Sequence, residues 1–208
     1  MLFLEVEIMA DHYYSKKPSV ESAPKYWDFT LRGQRFRFKT DSGVFSKGEV
    51  DFGSRLLIET FAVPDVKGPL LDVGCGYGPI GLALAKTYTD RLVHMIDVNE
   101  RALGLAEENA KNNAVENIRI YESDRLEGVK ETGFSAILTN PPIRAGKKTV
   151  HEIFSQSRER LADGGELWVV IQKKQGAPSA IEKLNQLFGE VEVVDKEKGY
   201  FIIRAKNI

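Results

Sequence analysis

Residues Leu70–Gly78 read LLDVGCGYG, a short apolar strand that runs into three glycines at alternate positions. Glycines at such a turn let the backbone bend sharply and approach a ligand without a clash from a Cβ atom. The next segment, Pro79–Tyr88, has a helical pattern, so its free N–H groups would point at the same place. Strand, glycine turn and helix in this order predict a loop that binds a nucleotide-type cofactor.

Apolar strands alternate with helical patterns along the chain from Leu70 onward. This βαβ alternation predicts a mostly parallel sheet that is covered by helices on both faces. The predicted strands are Leu70–Val73, Leu92–Asp97, Ile118–Glu122, Phe134–Thr139 and Glu166–Ile171. The predicted helices are Pro79–Tyr88, Glu100–Asn112, Thr149–Leu161 and Pro178–Phe188, with Gly164 and Gly165 ending the third of them.

The sequence predicts an antiparallel hairpin near each end of the chain. At the C-terminus its strands are Val191–Lys196 and Tyr200–Lys206, and near the N-terminus they are Tyr26–Leu31 and Gln34–Lys39. The second N-terminal strand alternates basic residues with phenylalanines, so one of its faces is expected to be buried. The complete prediction is an α/β fold with a mostly parallel, Rossmann-like sheet of seven strands, an antiparallel C-terminal hairpin and a small N-terminal β-hairpin.

The region before the sheet divides into two predicted parts. Residues 1–11 are expected to be an N-terminal extension, and residues 12–62 are expected to hold the hairpin and a segment that covers the cofactor. Residues 42–54 are rich in turn formers and lead into an apolar helix around Arg55–Phe61, which favours a loop reaching over the cofactor. Residues 63–208 then form the main domain.

Composition is typical of a single α/β domain. The chain has 208 residues, 42% of them hydrophobic, and a formal net charge of −1, so no global positive field would draw it onto nucleic acid. Cys75 is the sole cysteine, which excludes a disulfide framework and a cysteine-based zinc site and favours a reducing, cytoplasmic setting. Acidic residues interrupt the apolar residues 1–8, so no signal peptide is predicted, and no apolar run approaches the ~20 residues that span a bilayer. No metal site is expected.

Three aspartates lie in or after predicted strands near the glycine loop. Asp97 follows the loop by about twenty residues, where a carboxylate can accept hydrogen bonds from both hydroxyls of a ribose. An NAD enzyme would use the same device, but the carboxylate of Asp72 would repel a pyrophosphate and suits an α-ammonium group. Asp124 has two interpretations, an acceptor for an adenine amino group or a helix cap before Arg125. The aspartates favour a cofactor that contains an amino acid.

A second polar site is predicted where Asn140-Pro141-Pro142 ends the fourth strand. Proline restrains the residue before it to extended geometry, so two prolines fix Asn140 and the carbonyl group of Pro141 as a pair of acceptors. Two acceptors that hold the N–H bonds of a conjugated amine can turn its lone pair toward a methyl donor. A simple strand-ending turn is the alternative. In combination with the glycine loop and Asp97, this corner predicts an S-adenosylmethionine-dependent methyltransferase that acts on a planar nitrogen.

These segments resemble those of the RsmC-like small-domain methyltransferases, a family that includes ribosomal RNA guanine-N2 methyltransferases. The resemblance begins at about His12 and is to the shorter, single-domain bacterial members. The segments that carry it are the glycine loop, Asp97, Asp124, the corner Asn140–Ile143, Gly43–Ser46, Asp51–Ser54 and Gln172–Ala177.

The resemblance implies S-adenosyl-L-methionine as cofactor and the exocyclic N2 amine of a guanine in small-subunit ribosomal RNA as acceptor. Ribosomal RNA or the small ribosomal subunit is then the expected partner. Cofactor-binding roles are implied for Asp72, Gly74, Cys75, Gly76, Gly78, Asp97, Val98, Asp124, Asn140, Phe45 and Asp51. Catalytic roles are implied for Asn140, Pro141, Pro142 and Ile143.

Ile143 departs from the family pattern, because members of established guanine specificity commonly have an aromatic residue there. Two other functions stay open: a protein glutamine N-methyltransferase, which uses a similar corner, and a binding module without turnover. Basic residues near the predicted mouth favour phosphate contacts, with plain surface charge as an equal alternative. They are Arg144, Lys147, Lys148, Lys173 and Lys174, and the N-terminal hairpin adds Arg32, Arg35, Arg37 and Lys39. The oligomeric state is open, with a monomer allowed.

Overall fold

The computed structural model describes residues 16, 20–46 and 48–208. The predicted extension, residues 1–11, and His12, where the family resemblance begins, lie outside the described residues. The strands are β1 (Lys25–Leu31), β2 (Gln34–Thr40), β3 (Leu70–Val73), β4 (Val93–Asp97), β5 (Ile118–Glu122), β6 (Phe134–Thr139), β7 (Leu161–Gln172), β8 (Glu190–Glu197) and β9 (Tyr200–Lys206). The helices are α1 (Phe52–Thr60), α2 (Pro79–Thr87), α3 (Glu100–Asn112), α4 (Lys147–Arg160) and α5 (Ala177–Leu187).

Seven strands form the central sheet in the order β5-β4-β3-β6-β7-β9-β8. The strands from β3 to β7 pair in parallel, and β9 lies antiparallel between β7 and β8. This topology confirms the predicted parallel sheet with its antiparallel C-terminal hairpin. The order reverses beside β3, and at such a point the carboxyl ends of parallel strands leave a crevice for a ligand.

The middle of the sheet is buried on both faces. Every residue of β3 and of β6 is buried. Alternate residues of β3 enter two hydrophobic clusters: Leu70 packs with α1, α2 and α3, whereas Leu71 packs with α4 and α5. Burial on both faces explains why these strands read as nearly continuous apolar runs. No helix in the described part of the chain is long and apolar enough to cross a membrane.

The N-terminal hairpin, β1 and β2, forms a separate two-stranded sheet. Phe36 and Phe38 point into the first hydrophobic cluster, as the alternation predicts. The free edge of β2 is closed by α3, because the Asn109 side chain accepts from Lys39 N at 2.6 Å and donates to Lys39 O at 2.9 Å. Asn113 repeats this arrangement one turn further along the helix, at 2.9 Å for both bonds to Arg37. These amides fix the hairpin on the main domain.

Two boundary predictions are wrong. The first helix begins at Phe52, inside the predicted turn-rich segment 42–54, because Asp51 caps it there. Gly164 and Gly165 do not end the helix before them, because α4 already ends at Arg160 and Leu161 is extended and pairs with Phe134. The two glycines lie inside β7, at an irregularity where the register against β6 shifts. Gly164 has a positive φ of 73°, and its N–H group donates to Asn207 O at 2.7 Å. The two glycines bend a strand here. A glycine pair at a helix end would give the same local sequence pattern.

Candidate functional site

A cavity of about 380 Å³ lies at the carboxyl ends of β3, β4 and β6. Most of the predicted site residues line it, and they come from segments far apart in the sequence. The predicted residues in its lining are Phe45, Gly74, Cys75, Gly76, Asp97, Val98, Asp124, Asn140, Pro141 and Pro142. Four predicted residues are not in the lining: Asp51, Asp72, Gly78 and Ile143.

The glycine loop leaves room for a ligand at two of its three glycines. Gly74 and Gly76 have φ angles of 75° and 57°, and a Cβ atom added to either would meet no protein atom within 4 Å. Gly78 also has a positive φ, 100°, but a Cβ atom there would lie 2.9 Å from Met95 Cε. The first two glycines therefore open the cavity, and the third packs the start of α2 against β4. A cofactor with a methionine and a nucleoside part fits this open, backbone-lined cradle.

Asp97 ties the glycine loop to the end of β4. Its Oδ2 accepts from Gly76 N and its Oδ1 accepts from Asn99 N, both at 2.9 Å. Burial raises the pKa of this carboxyl group above its usual range. The backbone hydrogen bonds lower the pKa, but the effect of burial is larger. A backbone hydrogen bond from Val98 also acts on this carboxylate, and a carboxylate has about four acceptor positions, so it can accept further hydrogen bonds. A diol at the cavity wall could therefore bond to the same carboxylate.

Asp72 lies behind the loop and not in the cavity wall. Its side chain is fully buried, its Oδ2 accepts from Gly81 N at 2.9 Å, and its Oδ1 has no hydrogen-bond partner among the described residues. Burial raises the pKa of Asp72 to about 7, and the nearby charge of Asp97 adds to this increase. The carboxyl group thus binds the first turn of α2 to β3. Asp72 does not line the cavity, so its expected contact with an α-ammonium group stays a prediction.

The corner after β6 has one oriented amide. Asn140 Nδ2 donates to Asp51 Oδ2 and to Ser54 Oγ, both at 3.0 Å. Because both acceptors surround the nitrogen, the amide orientation is fixed, and no donor among the described residues approaches Asn140 Oδ1. That oxygen and the rigid backbone of Pro141 and Pro142 are therefore available to a ligand.

Asp51 and Ile143 lie beside this corner and do not line the cavity. Asp51 caps α1, because its Oδ2 also accepts from Ser54 N at 3.0 Å. Ile143 begins a short 3₁₀ turn and is half-buried against the hydrophobic cluster of α4 and α5. Its side chain consequently packs toward the domain core.

The segment between β2 and α1 contributes to the cavity wall, and its role in covering a bound cofactor stays a prediction. Val44 and Phe45 line the cavity, and the Phe45 side chain is 54% exposed at its mouth. The segment is held through its backbone carbonyl groups. Asn99 Nδ2 donates to Gly43 O at 3.0 Å, and Tyr77 OH donates to Glu49 O at 3.3 Å.

Sequence reasoning missed Ser54, Tyr77 and Asn99 as individual residues of the site. Asn99 also caps α3 through its side chain, at 3.0 Å to Arg101 N and 3.1 Å to Ala102 N, so a helix-cap pattern could have located it. The hydroxyl groups of Ser54 and Tyr77 reach partners 86 and 28 positions away, and no local pattern indicates such contacts.

Asp124 lines the cavity beyond β5. No helix begins after it among the described residues, so the alternative interpretation as a helix cap is wrong. Its carboxylate instead pairs with Arg125 Nη2 at 3.0 Å. Arg125 also contacts Glu127 and Glu152, which anchors this wall to α4. Asp124 keeps 60% of its side chain exposed and is free to accept another hydrogen bond.

The remaining reactive side chains have packing roles. Cys75 is buried and burial raises the pKa of its thiol, so a thiolate nucleophile is disfavoured. His94 is buried mid-strand with Nδ1 3.0 Å from Tyr121 OH, and His151 stacks on Phe154. Among the described residues, no group of three or more histidine, cysteine or acidic side chains could hold a metal ion.

The basic residues after β6 and β7 are exposed. Lys148 lies 3.8 Å from Glu152, and no ion pair within the described chain involves Arg144, Lys147, Lys173 or Lys174. The hairpin cations are mostly engaged elsewhere: Arg32 donates to Ile58 O and Phe61 O, both at 2.8 Å, and Lys39 pairs with Glu108 at 2.8 Å. The unpaired cations near the corner thus remain candidates for phosphate contacts.

Comparison with known proteins agrees with this geometry. Residues 35–204 match the family model of the methyltransferase small domain. The Bacillus subtilis protein YbxB, which is uncharacterized, is 63% identical over 201 residues, covering 96% of this chain and all of that protein. The ribosomal RNA small subunit methyltransferase C of Vibrio cholerae is 31% identical over 90% of this chain and 54% of its own length.

A solved structure with the same fold is the 16S ribosomal RNA N2 methyltransferase (RsmC) of T. thermophilus, in complex with AdoMet and guanosine. It superposes with a TM-score of 0.79 and 25% identity over 92% of this chain and 52% of that one. The chain spans about half the length of the ribosomal RNA methyltransferases that it matches.

Fold, cavity and comparisons define a class I, S-adenosylmethionine-dependent methyltransferase. The chain belongs to the methyltransferase small domain family. The matched residues, 35–204, extend from β2 into β9.

Proposed function

We propose that this methyltransferase transfers a methyl group to the exocyclic N2 amine of a guanine in small-subunit ribosomal RNA. The observation that carries the proposal is the Asn140 amide, whose nitrogen is held by Asp51 and Ser54 and whose oxygen is left for an acceptor amine. Ribosomal RNA is supported by the names of the relatives, and guanine is supported by the guanosine bound to the T. thermophilus protein.

The proposed site residues divide into two groups. S-adenosylmethionine, when bound, supplies an electrophilic methyl group on a sulfonium centre. Gly74 and Gly76 give the backbone room for the methionine part, and Asp97 accepts from the ribose hydroxyls. Asp124 accepts from the adenine amino group, while Val98 and Phe45 pack against the adenosine part of the cofactor.

Asn140 and the carbonyl group of Pro141 hold the acceptor amine. An exocyclic amine shares its lone pair with the ring and is a weak nucleophile. Hydrogen bonds from its two N–H groups to Asn140 Oδ1 and Pro141 O direct the lone pair along the line of attack and stabilise the positive charge that grows on nitrogen. The methylated cationic nitrogen is acidic, so it loses its proton without a strong base nearby. Among the described residues, no histidine lines the cavity, which fits this chemistry.

Methylation of under-methylated small ribosomal subunits tests the proposal. Purified protein and labelled S-adenosylmethionine are incubated with subunits from a strain that lacks this protein, with naked ribosomal RNA and with a protein acceptor. Mass spectrometry of the nucleosides should then identify N2-methylguanosine. Asn140→Ala should lower the single-turnover rate on the order of 100-fold or more, with cofactor affinity unchanged.

Asn185→Ala is the matched control, because Asn185 is exposed on α5 and, within the described part of the chain, its side chain bonds only to the helix carbonyl of Ile181, at 2.9 Å. Its rate should equal that of the unmodified protein. Methylation of the protein acceptor alone would reject RNA as substrate. A different methylated nucleoside would reject the N2 position, and full activity of Asn140→Ala would reject the corner as the transfer site.

A further inference from the structure

Two exposed cations lie over one phenylalanine ring beside the acceptor corner. The guanidinium carbon of Arg55 is 5.2 Å from the centre of the Phe52 ring, and Lys198 Nζ is 4.5 Å from it. Within the described residues, neither cation makes an ion pair with a carboxylate. Two like charges held near one ring repel each other, and a nearby anion would reduce that repulsion.

The ring is held in place by the elements that also build the corner. Phe52 packs against Tyr200 with ring centres 5.5 Å apart. Gly53 makes this approach possible, because a Cβ atom there would lie 2.7 Å from the Tyr200 ring. Asp51 and Ser54, on either side of these residues, hold the Asn140 amide. The ring that both cations contact is therefore held in a fixed position relative to the amide of Asn140, which faces the cavity.

Lys198 occupies a position that favours other residues. It is the first residue of the two-residue turn between β8 and β9, and both turn residues have positive φ angles, 48° for Lys198 and 82° for Gly199. Such turns prefer asparagine, aspartate or glycine at this place, because a longer side chain costs conformational energy there. Turn stability alone thus gives no reason for a lysine.

More positive charge adjoins the pair. Lys173 N donates to Gly199 O at 2.8 Å, which joins the exposed turn Lys173–Gln175 to the turn that carries Lys198. The nearest acidic residues in sequence are Asp51 and Glu59 for Arg55 and Glu197 for Lys198. Among the described residues, none of them forms an ion pair with these cations. A local basic surface consequently stands on a chain whose formal net charge is −1.

We infer that Phe52, Arg55 and Lys198 form a phosphate clamp that holds the RNA backbone next to the nucleotide being methylated. This inference rests on the proposed function, because it assigns an RNA strand to the same site. Arg55 and Lys198 contact phosphate oxygens, and the Phe52 ring keeps the two cations together in the absence of RNA. The basic turn at Lys173 continues the contact along the strand.

The clamp is tested by RNA binding, measured as fluorescence anisotropy with a single-stranded ribosomal RNA fragment over a range of salt concentrations. Arg55→Gln combined with Lys198→Asn should lower the slope of log affinity against log salt by about 1.4, or about 0.7 for each lost contact. Phe52→Leu keeps both charges, so it should weaken binding only about two- to five-fold with the salt slope retained.

Lys198→Asn also separates a binding role from a structural one. Asparagine suits the positive φ angle, so this single variant should unfold at a higher temperature while it binds RNA more weakly. The matched control is Lys67→Asn with Lys130→Gln, which changes the net charge equally at two exposed lysines that precede β3 and β6, at the edge of the sheet opposite the cavity. Cofactor affinity, measured in parallel, should be the same in all variants.

Equal salt slopes for the clamp variant and the control variant would overturn the clamp and leave the proposed function standing. Polyglutamate that binds as tightly as RNA at equal charge concentration would also overturn it, by assigning the cations to an acidic protein. Failure of the unmodified protein to bind RNA, together with methylation of a protein acceptor, would overturn the clamp and the proposed function together.

Discussion

Asn140 and Asp51 are 89 positions apart in the sequence, and the amide nitrogen of Asn140 donates to the Asp51 carboxylate at 3.0 Å. Asp51 is also the N-cap of α1. One carboxylate therefore starts a helix and orients the side chain at the acceptor corner. Because the amide cannot turn without losing this bond, its oxygen is pre-oriented toward the cavity. Asp51 is a positioning residue, since it does not line the cavity itself.

Asp51→Ser should separate these two tasks. Serine caps helices about as well as aspartate, so the free energy of unfolding should change by less than about 1 kcal/mol. The shorter side chain does not reach Asn140, and the single-turnover methylation rate should fall about 10-fold because the amide is held by Ser54 alone. Rapid-quench measurement of one turnover, with thermal unfolding alongside, provides both numbers. A rate equal to that of the unmodified protein would show that Ser54 is sufficient to orient Asn140.

Asp97→Ala should weaken S-adenosylmethionine binding by a few kcal/mol, the range for hydrogen bonds to a charged carboxylate. The substitution removes the ribose acceptor and also the bonds to Gly76 N and Asn99 N. Calorimetry with the cofactor measures the loss, and NAD should not compete with the cofactor. Asp97→Asn retains one acceptor oxygen and should have an intermediate affinity. Unchanged affinity in Asp97→Ala would remove the ribose assignment.

Asp72 makes the stability of the cofactor-free protein dependent on pH. Burial raises its pKa to about 7 in the folded state, above the ordinary aspartate value of 3.8. Between these two pH values the folded state therefore binds a proton that the unfolded state has released. The resulting stabilisation is fully present below about pH 4 and is lost as the pH rises to about 7. Asp72→Asn carries no charge at any pH. It should be stabilised relative to the unmodified protein at pH 8, by up to a few kcal/mol, and should lose that advantage at pH 4.

Urea unfolding at pH 4, 6 and 8 measures this difference directly. Asp97 also has a raised pKa and is present in both proteins. Because the charge of Asp97 raises the pKa of Asp72, the difference between the proteins reports Asp72 together with its interaction with Asp97. A constant difference between the two proteins across this range would show that folding does not raise the pKa of Asp72.

Most of the sheet could be predicted from the sequence because strand burial and helix periodicity are local patterns. For the strands near Leu70, Ile118 and Phe134, the predicted bounds are those that the structure has. The predicted end of α4 is wrong, since Gly164-Gly165 fits a helix cap and a bent strand equally well. Only the pairing of Leu161 with Phe134 distinguishes these two structures, and that pairing is a tertiary contact.

The candidate site divides in the same way. Asp97 and Asn140 end strands at the sheet edge, so topology alone brings them to one cavity. Asp72 is in the same motif, yet its side chain points behind the loop, because successive residues of a strand face opposite sides of the sheet. The cation pair over Phe52 depends on a contact between α1 and the turn after β8, which no local pattern contains.

Lysines at the mouth of the cavity should contribute to RNA binding and not to cofactor binding. Converting Lys147, Lys148, Lys173 and Lys174 to alanine should flatten the salt dependence of RNA affinity by about 0.7 log units per lost phosphate contact. Lys148 is expected to contribute least, because it lies 3.8 Å from Glu152. Filter binding at several salt concentrations, with calorimetry of the cofactor, tests this. An unaltered slope would assign these lysines to plain surface charge.

Ile143→Phe tests whether the missing aromatic residue matters. Ile143 is half-buried in the cluster of α4 and α5 and is not part of the cavity lining, whereas Phe45 lines the mouth with 54% of its side chain exposed. The substitution should therefore be tolerated, with a methylation rate within about threefold of the unmodified protein, because a ring at position 143 would have to leave the cluster to stack on a base. Steady-state kinetics with ribosomal subunits as substrate measures the rate and the apparent affinity for RNA. Markedly tighter RNA binding by the variant, by about tenfold or more, would show that the ring does reach the purine, and that the isoleucine limits how tightly this enzyme holds its target.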